Sequence, residues 1–145
     1  DRAPAIVHGD FRLDNLLIDE TDAVTAVLDW EMATIGDALT DLALLLAYNR
    51  MSRLEAGALI ANASNAEGFI TEDEILEAYA RRSGNDLEHV GFYLGLAYFK
   101  LAGIVEGIYF RHLGGQTVGP GFDQLGSLTE PLIQAGIASC KGSSR

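Results

Sequence analysis

Between Val7 and Trp30 the chain gathers an imidazole at His8, a guanidinium at Arg12, an amide at Asn15 and carboxylates at Asp10, Asp14 and Asp29. Leaving such groups unpaired in a core would cost about 1–3 kcal/mol for a neutral polar group and considerably more for a charge. The cluster therefore belongs at the lip of a site that binds something charged, and phosphoryl transfer is the chemistry it suits. That reaction asks for a carboxylate near the attacking hydroxyl, oxygen ligands for a hard divalent cation and positive charge on the transferred group. Asp10 can accept or orient the hydroxyl proton, Asn15 and Asp29 can hold Mg2+, and Arg12 can contact the γ-phosphate of ATP.

Spacing says more than inventory. Asp10 to Asn15 has the form D-x-x-x-x-N, the spacing of the catalytic loop in the protein-kinase fold, and Asp29 follows one hairpin later, where that fold keeps a metal-binding Asp. His8-Gly9-Asp10-(x4)-Asn15 followed by Leu28-Asp29-Trp30-Glu31 resembles the aminoglycoside-phosphotransferase-like small-molecule kinases. Ala33-Thr34-Ile35-Gly36-Asp37 and Thr40-Asp41-Leu42-Ala43 look closest to the branch associated with acyl-CoA dehydrogenases.

The resemblance implies that Asp10 is the catalytic base, that Asn15 and Asp29 ligate the metal, and that Arg12 lies near the transferred phosphate. It further implies that His8 pins the loop and that Asp41 anchors it through backbone donors. Arg12-Leu13 stands where common aminoglycoside kinases show a His-Pro-like pair, which points away from an aminoglycoside acceptor. Gly9 replaces the arginine that ties many protein kinases to activation-loop phosphorylation, so that control is not expected.

The elements that must position these residues follow from pattern. Ala5-Ile6-Val7 reads as a strand end delivering the loop, and Asn15–Asp19 with Val24–Trp30 as a hairpin turned at Glu20-Thr21-Asp22. A hairpin alone is marginal, so it must lie on something apolar. The remainder reads as helices: Ala38–Tyr48 with Asp37 as cap, Leu54–Ala63, and a third opened by the Thr71…Glu74 capping box and closed near Gly84. A long helix runs from Asp86 or Leu87 to Gly114-Gly115, Gln116–Phe122 forms a loop, and Ser127–Ser139 is the last helix before a frayed tail at Lys141–Arg145. The expected fold class is α+β: the mainly helical C-terminal lobe of a protein-kinase-like fold, with a small β-hairpin carrying the catalytic and metal-binding loops. Residues 1–37 form the loop and hairpin region and 38–140 the helical subdomain of one unit, 1–145.

Val90–Phe110 is long enough for a membrane span, but Lys100 and Glu106 make lipid burial costly. A core helix is the expectation, with Gly91, Gly95, Gly103 and Gly107 where neighbours approach closely. With ten Lys and Arg against 21 Asp and Glu the net charge is −11. Neither nucleic acid nor a membrane is an expected partner. The single Cys140 excludes an intrachain disulfide framework and fits a cytoplasmic setting, as does a start without a basic segment leading into an apolar run.

The function this implies is ATP-dependent phosphoryl transfer to the hydroxyl of a small molecule, a hydroxyacyl compound being the acceptor the resemblance suggests, with Mg2+ as cofactor. The chain contains neither a Gly-rich phosphate loop nor a strand lysine paired with a helix glutamate, features of the N-terminal lobe. Half of the ATP cleft must come from elsewhere, the fragment alone is expected to be inactive, and its bare lobe interface could drive self-association. The alternatives are a non-catalytic interaction module or pseudo-kinase lobe, and a phosphoesterase using His8, Asp10, Asn15 and Asp29. The latter would need more ligands for two metals.

Overall fold

Helix α1, Leu39–Met51, is made almost wholly of Leu, Ala and other apolar residues, and is accordingly buried on nearly every side. The computed structural model describes residues 3–54, 57 and 63–142. Among them the other helices are α2 (Glu72–Ser83), α3 (Val90–Leu113) and α4 (Thr129–Gly142), with strands β1 (Ala5–Val7), β2 (Leu16–Ile18), β3 (Val24–Val27) and β4 (Thr34–Gly36). The core joins Leu39, Leu44, Leu46 and Met51 of α1 to Leu94, Tyr98, Leu101 and Val105 of α3 and Leu132 of α4, with Leu125 and Leu128 of an intervening 3-10 stretch. α3, apolar and long enough for a span, thus serves as the central packing partner of α1 and α4.

The helix starts show what local chemistry dictates. Thr71 Oγ1 accepts from the Glu74 backbone N–H while the Glu74 carboxylate accepts from the Thr71 N–H at 2.8 Å, the reciprocal cap read from the sequence. Asp37 acts from just outside α1: Oδ1 accepts from Leu39 N–H at 2.9 Å and Oδ2 from the Tyr93 hydroxyl of α3 at 2.7 Å. An ion pair between Arg50 and Glu72 joins α1 to the first turn of α2.

Several boundaries differ from expectation for identifiable reasons. The long helix begins at Val90 because Asp86 Oδ1 takes the Glu88 N–H in a local turn. The last helix begins at Thr129, not Ser127. A start at Ser127 would place Pro131 where a backbone N–H must bond four residues back, whereas a start at Thr129 keeps it in the first turn. Of the glycines expected at close contacts, Gly95 does meet α4, where a Cβ would lie 2.3 Å from Cys140 Sγ, but Gly103 faces open space. The expected helix Leu54–Ala63 lies almost entirely outside the described residues, as does the end of the tail.

The hairpin forms as β2 and β3, antiparallel, with Leu16 opposite Val27, Leu17 opposite Ala26 and an irregularity before Ile18. Asp19 closes its turn by accepting from Thr21 and Ala23 backbone N–H groups. A second ladder was not anticipated. β1 pairs with β4, setting Ala5 opposite Gly36, Ile6 opposite Ile35 and Val7 opposite Thr34. This ladder brings the chain just before the polar loop against the chain just after Asp29.

Candidate active site

The loop leaves β1 and is at once gripped by α1. Both Asp41 oxygens accept backbone N–H groups, Oδ2 from His8 at 2.6 Å and Oδ1 from Gly9 at 2.9 Å. One side chain thereby sets the direction of two consecutive peptides, the role the resemblance implied for it. His8 is 2% exposed. Its Nδ1 accepts the Asp10 backbone N–H at 3.2 Å, so Nε2 carries the proton and donates to the Leu28 carbonyl at 2.7 Å. The imidazole also lies 4.7 Å from the Trp30 ring. His8 is a strut between the loop and the end of β3, as its assignment as a structural pin requires.

Gly9 has φ of 85°, and a Cβ there would sit 2.5 Å from the Met32 carbonyl oxygen. A left-handed conformation alone costs an alanine about 1–2 kcal/mol. Gly9→Ala should therefore lose at least about 2 kcal/mol of stability once the contact is added. Urea unfolding followed by the fluorescence of Trp30 checks this, and an unchanged midpoint would refute it.

Short links join the loop and hairpin that carry the candidate catalytic groups. Asn15 Nδ2 donates to the Asp10 carbonyl at 2.9 Å, which leaves its Oδ1 as the ligand-type atom. The Asn15 carbonyl accepts the Leu28 N–H at 2.8 Å, so Asp29 begins where the hairpin brings the chain back beside Asn15. Asp29 leaves the ladder in a left-handed conformation, φ 66° and ψ 50°, and is exposed. Among non-glycine residues Asp is one of the few that accept this conformation readily. This is why β3 stops at Val27 instead of continuing to Trp30.

Asp10, half-buried, accepts the Tyr48 hydroxyl on Oδ1 at 3.0 Å. Arg12 forms an ion pair with Asp14, and its guanidinium lies over the Tyr48 ring, 4.9 Å from the centroid. Burial, followed by the Asp10 charge, pushes the Tyr48 phenol up to about 12, so its hydroxyl stays protonated and donates. From the far side Lys100 of α3 donates to the Gly9 carbonyl.

Asp10, Arg12, Asn15 and Asp29 thus lie on one continuous loop-and-hairpin framework. Sequence reasoning missed Tyr48 and Lys100. The signals existed: Tyr48 lies seven residues beyond Asp41, two turns along and on the same helix face, and Lys100 is an isolated cation in an apolar helix. Among the described residues no three His, Cys, Asp or Glu converge as metal ligands. An apolar cleft of about 580 Å3 runs beside the loop, lined by Phe11, Asp41, Leu42, Leu45, Ile75 and Tyr79, among others.

Comparison with known proteins agrees with this fold. Residues 1–92 match the model of the phosphotransferase enzyme family. The chain is 34% identical to acyl-CoA dehydrogenase family member 11 of Gallus gallus, over 97% of this chain and 19% of that protein. The human counterpart matches at 34% over 97% of this chain and 18% of the relative, and family member 10 of Mus musculus at 36% over 89% and 12%. The chain spans about a fifth or less of these relatives. The crystal structure of a candidate aminoglycoside phosphotransferase from Ralstonia eutropha superposes with a TM-score of 0.79 at 30% identity, covering 98% of this chain and 44% of that one.

Proposed function

This chain belongs to the phosphotransferase enzyme family, and from that membership we infer that it carries the catalytic-loop lobe of a kinase transferring the γ-phosphoryl group of ATP to a hydroxyl of a small molecule. The observation that carries the reading is the linkage of Asp10, Asn15 and Asp29 through the Asn15–Asp10 and Asn15–Leu28 hydrogen bonds. These links join the backbone that carries one carboxylate, an amide and a second carboxylate, the groups such a reaction would use.

In the proposed reaction the acceptor hydroxyl gives its proton to the Asp10 carboxylate as its oxygen forms a bond to the γ-phosphorus. The bond from that phosphorus to the bridging oxygen breaks, and ADP leaves. The Asn15 amide oxygen and the Asp29 carboxylate suit Mg2+, which prefers oxygen and takes few ligands from protein. When bound, such an ion neutralises charge on the phosphates. Arg12 offers further positive charge at the edge of the loop, oriented by Asp14 and Tyr48.

The acceptor we propose is a hydroxyacyl compound. Relatives named as acyl-CoA dehydrogenase family members support it, as does an apolar cleft beside Phe11 of a size for an acyl chain. The other half of the nucleotide cleft is assigned to residues outside this stretch.

The test is phosphorylation of a hydroxyacyl panel by the full-length protein with Mg-ATP, wild type against Asp29→Asn. Asn tolerates the left-handed conformation, so the substitution removes charge without moving the chain. The rate at fixed Mg2+ should fall on the order of 10²-fold or more, since even partners of metal ligands are worth about 10–100-fold. Turnover equal to wild type would remove Asp29 from the metal site, and no transfer from ATP by wild type would overturn the kinase reading.

A further inference from the structure

Resting on the phosphoryl-transfer reading above, we propose that Tyr48 is a positioning residue that sets Asp10 and Arg12 in one register, its hydroxyl holding the carboxylate and its ring seating the guanidinium. Tyr48 is 6% exposed and sits on α1, the most deeply packed helix of the fold. Its aromatic body is held by the core, and only its edge and face are offered to the loop.

The hydroxyl meets Asp10 Oδ1 at 3.0 Å. An ionised carboxylate has acceptor capacity to spare, so this bond orients Asp10 while the second oxygen remains for a hydroxyl proton. The ring face carries Arg12, whose other side is held by Asp14. Arg12 is therefore fixed by a stack and a fork, contacts in which a planar guanidinium exceeds a lysine. The same α1 face holds the start of the loop through Asp41, so one rigid helix locates the loop's backbone, its carboxylate and its cation.

Two substitutions separate the hydroxyl, which donates to Asp10 and also accepts from the Arg12 guanidinium, from the ring on which that guanidinium rests. Tyr48→Phe keeps the ring and removes the hydroxyl. Tyr48→Leu removes both. The probe is Mg-ATP itself, with ADP formation by the full-length protein measured with water as acceptor, alongside the melting temperature of each variant.

Tyr48→Phe should lower kcat about tenfold with KM for ATP within about twofold of wild type and an unchanged melting temperature. Tyr48→Leu, assayed well below its own melting temperature, should add a rise in KM of about fivefold or more. A Phe variant with wild-type kcat would overturn the assignment, and so would a loss of rate that only follows a loss of folded protein. Equal KM values in Phe and Leu variants would overturn the seating of Arg12. Wild-type protein that forms no ADP from Mg-ATP, with water or with the hydroxyacyl panel as acceptor, would instead overturn the phosphoryl-transfer reading, and this assignment with it.

Discussion

Asp10→Asn in the full-length protein is expected to lower phosphoryl transfer about 10²–10⁴-fold, the usual weight of a positioned general base, without unfolding the domain. The substitution is nearly isosteric, and an asparagine oxygen can still accept the Tyr48 hydroxyl that now lies 3.0 Å from Oδ1. The backbone on either side is held independently of the carboxylate: Asp10 N–H by His8 Nδ1 and Asp10 C=O by Asn15 Nδ2. What the variant loses is the basicity that takes the hydroxyl proton. Initial rates with Mg-ATP and a hydroxyacyl acceptor, beside a thermal melt, check both parts. Undiminished rates would show that Asp10 is not the base, and a collapsed melt would show that its charge is structural.

Asp41→Ala should be the most damaging single change to the loop itself. It removes two short charge-assisted hydrogen bonds and strands the N–H groups of His8, buried, and Gly9, half-buried. Hydrogen bonds to charged groups are worth about 1.5–3 kcal/mol each, but the two share one carboxylate and the exposed side of Gly9 can recruit water. A loss of about 3 kcal/mol is therefore expected. Asp41→Asn keeps one acceptor oxygen and turns an amide N–H toward the other donor, so it should recover only part of that loss. Trp30, the chain's single tryptophan, rests on the His8 ring at 4.7 Å and reports the change directly. Urea midpoints ranking wild type above Asn above Ala are the expected order. An Ala variant as stable as wild type would mean the loop is held by the Lys100 and β1–β4 contacts instead.

Much of the site was legible because its logic is local. Asp10 and Asn15 lie five residues apart and communicate through one side-chain-to-backbone hydrogen bond, so their spacing alone carries information. The hairpin that returns Asp29 beside Asn15 announces itself by an apolar run, an Asp-containing turn and a β-branched second run. The Thr71–Glu74 cap was visible for the same reason, its two halves being three residues apart. Asp41 was placed by resemblance. Its composition alone suggested no more than an acidic first turn, because a helix-start Asp looks the same whether it faces solvent or a backbone thirty-odd residues away.

What the sequence by itself determined is the family's motif and its short-range frame: a carboxylate, an amide, a second carboxylate and a cation on one loop and hairpin, carried by a helical lobe. What only the tertiary structure decided is which distant elements hold that frame. The β1–β4 ladder joins residues about thirty apart whose strands are three residues long, too short for alternation to signal them against turns. Tyr48 and Lys100 reach the loop from helices whose apolar composition advertises only burial. A polar atom on such a helix must find a partner, since its desolvation is otherwise uncompensated. The sequence shows that the demand exists, but only the packing of α1 and α3 around the loop decides that Asp10 and Gly9 meet it.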